Sequence, residues 1–192
     1  MKSKSLKIKD IATIGIFSVI LFVITVLVGA VTGMSMTLYM FSVSFVALLS
    51  APFFMLIMTK VHKKGAVFIT FTIVGILWAL VGGVFVLIWM LILGIVAEWI
   101  ACRSDYHNFK SLVFSYILYA AAYWGGAIAP LYYYSKYYFS HGYTKEATYA
   151  LINAAHSMAG YIGIVAMFAA AVIGAFMARA LLKKHFEKAG VI

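Results

Sequence analysis

The chain has 192 residues, of which 66% are hydrophobic and 10% are charged, against about 45–50% and about 25% in an ordinary soluble domain. So few charges require long uncharged segments, which are typical of helices in contact with lipid and exclude a soluble globular, disordered or collagen-like protein. The formal net charge of +10 comes without a nucleic-acid-binding motif, so we expect no nucleic acid partner. The single cysteine, Cys102, excludes an internal disulfide.

Six apolar runs follow one another along the chain, and we predict each as a transmembrane helix. They cover about residues 11–31, 36–58, 66–81, 84–101, 111–131 and 160–182. The first run is too long for a signal peptide and lacks a convincing cleavage site, so we expect it to be retained. Gly82 and Gly83 are the only break between the third and fourth runs, which predicts a tight hairpin with glycine at positive φ. Pro130 marks the predicted end of the fifth run.

One long connection, residues 132–159, separates the last two runs. In its second half, apolar residues recur at helical spacing, which predicts a short amphipathic helix with Tyr149, Asn153 and His156 opposite the apolar face. The predicted apolar face consists of Ala147, Ala150, Leu151, Ala154, Ala155 and Met158. Its first half is crowded with aromatic residues. They are Tyr132, Tyr133, Tyr134, Tyr137, Tyr138, Phe139 and Tyr143. Two interpretations of this aromatic group are open, an interfacial belt and a lid over an outward-facing pocket.

The basic residues predict the orientation of the chain in the membrane. With both termini in the cytoplasm, 13 of the 15 Lys and Arg residues lie in inside segments. Only Lys136 and Lys145 then lie outside. We therefore predict an all-α integral membrane protein, a single domain of six transmembrane helices in one bundle, with both termini cytoplasmic.

Glu98 is the one acidic residue predicted within a span. Intramembrane ionisable residues are functional candidates, since a charge in hydrocarbon costs about 2.5–3.5 kcal/mol even on the lenient scale. Glu98 lies near the cytoplasmic end of the fourth span, where its carboxylate can reach the interface or pair with a basic residue. A structural role and a coupling or docking role are both open. Arg179, in the last turn of the sixth span, can snorkel to the interface.

Motifs of enzymes are missing from the sequence. There is no HExxH, no GxSxG, no Walker A loop, no Cys/His cluster with metal-ligand spacing and no pair of intramembrane acids. We therefore expect a non-catalytic protein with no metal and no cofactor. A chain without a Walker A loop also cannot drive ATP-powered transport alone.

Three tryptophans map to similar depths in the outer halves of the spans. Trp78, Trp89 and Trp124 lie in the third, fourth and fifth spans, and Tyr39 lies near the outer end of the second. Aromatic faces with a few polar tips suit a planar ligand that is uncharged or weakly cationic. Each tryptophan taken singly is equally consistent with a lipid-facing anchor.

Small residues recur at helical spacing in two spans. Ala166, Ala170, Gly174 and Ala178 form a ladder along the sixth span, and we expect it to pack inside the bundle. Ala12, Gly15 and Ser18 follow one another at a spacing of three in the first span. They are candidates either for contact with a partner helix or for internal packing.

The order and spacing of these features resemble a known class of membrane protein. A basic N-terminus runs into residues 6–17, six spans fit in fewer than 200 residues, and one long outer loop precedes the last helix. This pattern resembles the substrate-binding S components of energy-coupling factor (ECF) vitamin transporters. More narrowly, Ala51-Pro52, the stretch from Lys60 to Gly65 and the stretch from Gly94 to Glu98 look like the integral membrane family Trep_Strep.

The resemblance implies a subunit that captures a micronutrient outside the cell and works with a membrane coupling subunit and two ATPases. It also implies a pocket toward the outside, walled by helices four to six and their loops. In S components of ECF transporters, small residues of the first helix, often in an Ala-x-x-x-Ala pattern, contact the coupling subunit. Here Ile16 follows Ala12 at that spacing, so the pattern is not kept.

The leading hypothesis is therefore an S component for a small, ring-containing vitamin or vitamin precursor, in the plasma membrane of a bacterium. Trp78, Trp89 and Trp124 would lead binding, and Tyr39, Asn153 and His156 would supply polar contacts. One alternative is a structural or assembly protein without a small-molecule ligand. Another is a facilitator that works without partners.

Overall fold

The computed structural model describes residues 5–104, 106, 108–140 and 144–183. The described residues form ten helices and no strands. The helices are α1 (Ile8–Thr32), α2 (Met36–Met40), α3 (Ser42–Lys60), α4 (Ala66–Leu80), α5 (Val84–Arg103), α6 (Phe109–Ala127), α7 (Pro130–Tyr133), α8 (Lys136–Ser140), α9 (Lys145–Ala155) and α10 (Met158–Leu181). Tyr143, named above, lies outside the described part. So do four of the lysines counted in the inside segments, Lys2, Lys4, Lys184 and Lys188.

Four of these helices, α1, α3, α5 and α10, are long and apolar enough to cross a membrane. Helix α4 is equally apolar but has only 15 residues. Helix α6 has 19 residues, yet Tyr116, Tyr119, Tyr123, Trp124 and two serines make it more polar than the others. It is also largely buried by its neighbours, so its composition reflects contact with protein rather than with lipid.

The second predicted run, residues 36–58, is two helices rather than one. Helix α2 ends at Met40, and Phe41 (φ −95°, ψ −1°) separates it from α3. Ser35 caps α2 through its side chain, whereas α3 begins with the buried Ser42. Hydropathy does not detect such a break because the residues on both sides of it are apolar.

The long helices neighbour one another in a closed ring of order α1, α4, α5, α6, α10 and α3, and α3 also contacts α6 across it. The ends of this bundle differ in chemistry. At the end where α1 begins lie Lys7, Lys9, Lys60, Lys64 and Arg103, and we call it the basic end. At the opposite end lie Trp78, Trp89, Trp124 and the short helices α7 to α9, and we call it the aromatic end.

The ladder of small residues in α10 packs within the bundle, as predicted. Ala170, Gly174 and Ala178 are buried, and Ala166 is half-buried. A Cβ on Gly174 would lie 2.6 Å from the carbonyl oxygen of Ala47 and 3.0 Å from the Cβ of Ala51, both in α3. Glycine at this position therefore permits α3 and α10 to approach closely.

Positive φ at Gly82 (+97°) confirms the predicted glycine hairpin between α4 and α5. Gly83 has φ −84°, and a Cβ there would lie 2.9 Å from the Trp78 ring. The second glycine therefore leaves room for the indole instead of supplying a left-handed conformation.

The amphipathic helix predicted between the last two spans is α9, capped by the side chain of Thr144. Its buried face is Thr148, Leu151 and Ala155. The predicted face is wrong at Ala150, which is exposed, and at Met158, which is 75% exposed and begins α10. Thr148 takes the inner position because its hydroxyl donates to the Thr144 carbonyl, 3.0 Å away, and needs no other partner.

Candidate functional site

At the basic end, two carboxylates hold the α3–α4 connection. The first is Asp10, whose Oδ2 lies 2.5 Å from the Nζ of Lys63 and also accepts the backbone N–H of Lys7 at 2.8 Å. Asp10 therefore accepts the backbone N–H of the N-cap residue at the start of α1, one half of a capping box, while it anchors the loop before α4. The side chains of this ion pair are only 10% and 16% exposed.

The second carboxylate is Glu98 of α5, which caps a helix other than its own. Its Oε1 accepts the backbone N–H of Gly65 at 2.6 Å, and its Oε2 accepts that of Phe68 at 3.0 Å. Gly65 is the N-cap residue of α4, at φ +95°, and has no side chain to cap the helix. Glu98 supplies the missing acceptor, and its negative charge lies at the positive end of the α4 dipole.

Two further groups donate to Glu98. The Cys102 thiol lies 3.2 Å from Oε1, and the Tyr106 hydroxyl donates a short hydrogen bond to the same oxygen. Burial, together with the hydrogen bonds to Cys102 and Glu98, raises the pKa of Tyr106, so this phenol keeps its proton. The geometry therefore supports the structural interpretation of Glu98.

Inside the aromatic end, a second cluster joins four helices. The Trp78 indole donates to the Thr25 hydroxyl at 3.0 Å, and its ring centroid lies 5.5 Å from that of Tyr123. The Tyr123 hydroxyl lies near the Thr25 hydroxyl and within electrostatic range of Tyr39. Tyr39 in turn reaches the Ala127 carbonyl at 3.5 Å. We call Thr25, Tyr39, Trp78 and Tyr123 the inner cluster. It contains rings and hydroxyl groups but no charge.

Tyrosines of α6 continue this interior toward the middle of the bundle. Tyr116, Tyr119 and Tyr123 are spaced by three and four residues and face inward, each at most 4% exposed. Tyr116 donates to the Ala47 carbonyl. The rings of Phe54 and Phe71 lie 5.6 and 5.4 Å from Tyr119. Sequence reasoning missed these tyrosines, although their spacing within an apolar helix is itself a signal.

Trp89 and Trp124 lie outside the inner cluster, at the rim of the aromatic end. The Trp89 indole donates to the Tyr133 hydroxyl at 3.3 Å and lies over Gly125, where a Cβ would be 2.7 Å from the ring. Trp124 lies 6.1 Å from the Tyr132 ring. The structure thus divides the predicted binding residues into an inner pair, Tyr39 and Trp78, and this outer pair.

Asn153 and His156, the predicted polar contacts, are both exposed. The His156 ring lies 5.0 Å from Tyr132, and its Nδ1 is 2.9 Å from the Ile152 carbonyl oxygen. Their side chains therefore lie on the surface of α9. Neither belongs to the inner cluster.

The tyrosine-rich segment from Pro130 to Phe139 is tied to the bundle by hydroxyl groups. Tyr132 donates to the Ala155 carbonyl at 2.6 Å, Tyr138 donates to that of Ala127 at 2.8 Å, and Tyr137 donates to that of Gly82. An interfacial belt alone requires none of these long-range bonds. The segment therefore covers the aromatic end, with Tyr137 and Tyr138 attached to the bundle and Tyr132 attached to α9.

The three candidate partner-contact residues of α1 do not share a face. Ala12 is exposed, Gly15 is half-buried with no heavy atom within 4 Å of a Cβ placed there, and Ser18 is fully buried. Successive steps of three residues rotate the side chains by about 60° around a helix of 3.6 residues per turn. Ser18 therefore faces the interior, and Ile16, which is 61% exposed, lies on the open face.

Comparison with known proteins places this architecture in a family. Among the described residues, no group of three His, Cys, Asp or Glu side chains is placed to hold a metal ion. No curated protein and no solved structure matches the chain significantly. Residues 8–188 match the family described as "Hypothetical bacterial integral membrane protein (Trep_Strep)", and this match spans all ten helices. The chain therefore belongs to the Trep_Strep family of bacterial integral membrane proteins.

Proposed function

We propose that this protein is the substrate-capture subunit of an ECF-type importer. It crosses the plasma membrane six times, through α1, α2 with α3, α4, α5, α6 and α10, with both termini in the cytoplasm. It binds a small vitamin or vitamin precursor at the aromatic end and performs no catalysis. A membrane coupling subunit and two ATPase subunits supply the energy.

The observation that carries this proposal is the inner cluster. Thr25, Tyr39, Trp78 and Tyr123 come from α1, α2, α4 and α6 and converge below the tyrosine-rich segment. A binding site needs a mostly apolar lining with a few directed polar groups, and rings with hydroxyl and indole tips provide both. We therefore centre the substrate site on Tyr39 and Trp78, with Trp89 and Trp124 at its entrance.

The open face of α1 is the proposed contact with the coupling subunit. Ala12 and Gly15 lie on this face with Ile16 and Val19, whereas Ser18 does not. A Cβ on Gly15 would meet nothing within 4 Å, so internal packing does not require glycine there. Glu98 is already engaged with α4, and its coupling role would be to keep that helix in place.

The test of the whole proposal is co-expression of the tagged chain with ECF coupling modules. After purification in detergent, mass spectrometry measures both the protein subunits and the retained small molecules. A stoichiometric complex supports the proposal, and a retained metabolite identifies the substrate class. A folded protein that purifies alone and empty with several modules favours the structural alternative. Uptake by vesicles without ATP or partners would favour the facilitator.

Conservative substitutions in the inner cluster test the site itself. Tyr123→Phe removes one hydroxyl group and keeps the ring, and Trp78→Phe removes the indole N–H and leaves a smaller aromatic ring. We expect each to lower the retained metabolite by about tenfold, the effect of about one buried hydrogen bond. Trp99→Phe is the matched control because Trp99 is 55% exposed near the basic end. Equal retention in Trp78→Phe and Trp99→Phe would exclude the inner cluster as the site.

A further inference from the structure

Most of the cations described at the basic end form no salt bridge with a described carboxylate. Its two described acids are already engaged, Asp10 with Lys63 and Glu98 with the start of α4. Among the cations described at this end, only Lys63 is in a salt bridge. The remaining ones are exposed. They are Lys7, Lys9, Lys60, Lys64, Arg103, Lys110, Arg179 and Lys183.

Three of these cations lie over aromatic rings, and Arg103 and Arg179 lie closer to theirs than Lys60 does to Phe17, at 5.6 Å. The Arg103 guanidinium lies 3.9 Å from the centroid of a Trp99 ring, and that of Arg179 lies 4.6 Å from the centroid of Phe109. Phe109 is itself braced edge-on by Phe176 at 5.2 Å. A guanidinium stacked on a ring keeps its N–H groups in the plane of the fork, free to bind two oxygens of a phosphate.

Each of these arginines ends an exposed apolar stripe on its helix. On α5, Ile95 and Trp99 are 62% and 55% exposed and precede Arg103 at intervals of four residues. On α10, Ile173 and Phe176 are 53% and 55% exposed and precede Arg179 at intervals of three. Steps of four keep Ile95, Trp99 and Arg103 close to one side of α5, and on α10 Phe176 lies one step of three, about 60° of rotation, from Arg179. Each guanidinium therefore lies beside an exposed apolar side chain suited to contact with acyl chains.

We propose that this rim, formed by Arg103, Lys110 and Arg179 at the ends of α5, α6 and α10 on the same side of the bundle, binds the phosphates of anionic phospholipids. The acyl chains lie along the stripes that end at Trp99 and Phe176. A zwitterionic headgroup carries its own cation toward the same arginines, so a lipid with net negative charge binds better. A soluble acidic protein would reach the cations but not the apolar stripes. This site is independent of the proposed function.

The test uses the full chain purified in a neutral detergent, with phosphatidylglycerol and phosphatidylcholine added in turn. Native mass spectrometry counts the retained lipids, and the midpoint of thermal unfolding reports stabilisation. We expect phosphatidylglycerol to be retained and to raise the midpoint more than phosphatidylcholine does. In the double variant Arg103→Gln/Arg179→Gln, affinity for phosphatidylglycerol should fall by about thirtyfold.

The matched control is Lys136→Gln/Lys145→Gln, which removes two exposed cations from the aromatic end. It should keep wild-type affinity, and both double variants should unfold at the wild-type midpoint without added lipid. Inorganic phosphate distinguishes a free-anion site from a lipid site. The proposal is overturned if phosphate reproduces the shift, if phosphatidylcholine matches phosphatidylglycerol, or if the arginine variant retains phosphatidylglycerol like the control.

Discussion

Replacing Glu98 by glutamine is expected to destabilise the protein by about 1–3 kcal/mol, the cost of leaving a buried polar group without its partner. The carboxylate accepts the N–H groups of Gly65 and Phe68 with separate oxygens. An amide of the same shape keeps one acceptor but turns an NH₂ group toward the other N–H donor. It also removes the negative charge from the start of α4.

The measurement is the midpoint of thermal unfolding in detergent. Unfolding is detected as loss of the monomer peak in size-exclusion chromatography. Glu146→Gln is the matched control because Glu146 is an exposed acid in the first turn of α9. It should change stability by less than about 0.5 kcal/mol. If the two variants unfold at the same temperature, Glu98 does not hold α4 as described.

Gly126→Ala is expected to lower the stability of the protein at least as much as Glu98→Gln does, because the added methyl group meets backbone rather than a side chain. A Cβ at Gly126 would lie 2.8 Å from the carbonyl carbon of Phe85 and still closer to the backbone of Val86. No rotamer change relieves a clash with backbone, so α5 and α6 must separate. Overpacking costs about 1–3 kcal/mol where side chains can adjust, and more where they cannot.

Gly15→Ala, in α1, is a glycine substitution that should not lower the stability of the protein. A Cβ there meets nothing within 4 Å. Alanine favours a helix interior over glycine by about 1 kcal/mol, so the variant should be as stable as the wild type or more stable. The two variants are compared by yield of folded monomer and by unfolding midpoint. Equal stability of both would mean that α5 and α6 do not approach at Gly126.

The two contacts act at opposite ends of α5. Gly126 lies in α6 near the aromatic end, where α5 begins, and Glu98 lies near the end of α5, beside the start of α4. Together they place α4 and α6 on either side of α5. The inner cluster depends on this placement because Trp78 comes from α4 and Tyr123 comes from α6.

The amino-acid sequence by itself determined where the apolar helices lie. Lipid contact requires long uncharged segments, so composition alone identifies a membrane protein, and the predicted runs agree with α1, α4, α5 and α10 to within a few residues. The glycine hairpin was also predictable because few residues besides glycine adopt the positive φ found at Gly82.

Only the tertiary structure decided which way each helix faces. Every side of a span is apolar, so hydropathy carries no signal for rotation, and Ser18 and Ala12 looked equivalent although one is buried and the other exposed. For the same reason, the sequence did not show that Trp78 belongs to the inner cluster whereas Trp89 and Trp124 lie at the rim. It also did not show that the tyrosines of α6 face inward. The partners of Glu98 were equally hidden, because its hydrogen bonds reach Gly65 and Phe68, about thirty positions away in the chain. Such contacts exist only once α4 and α5 lie side by side.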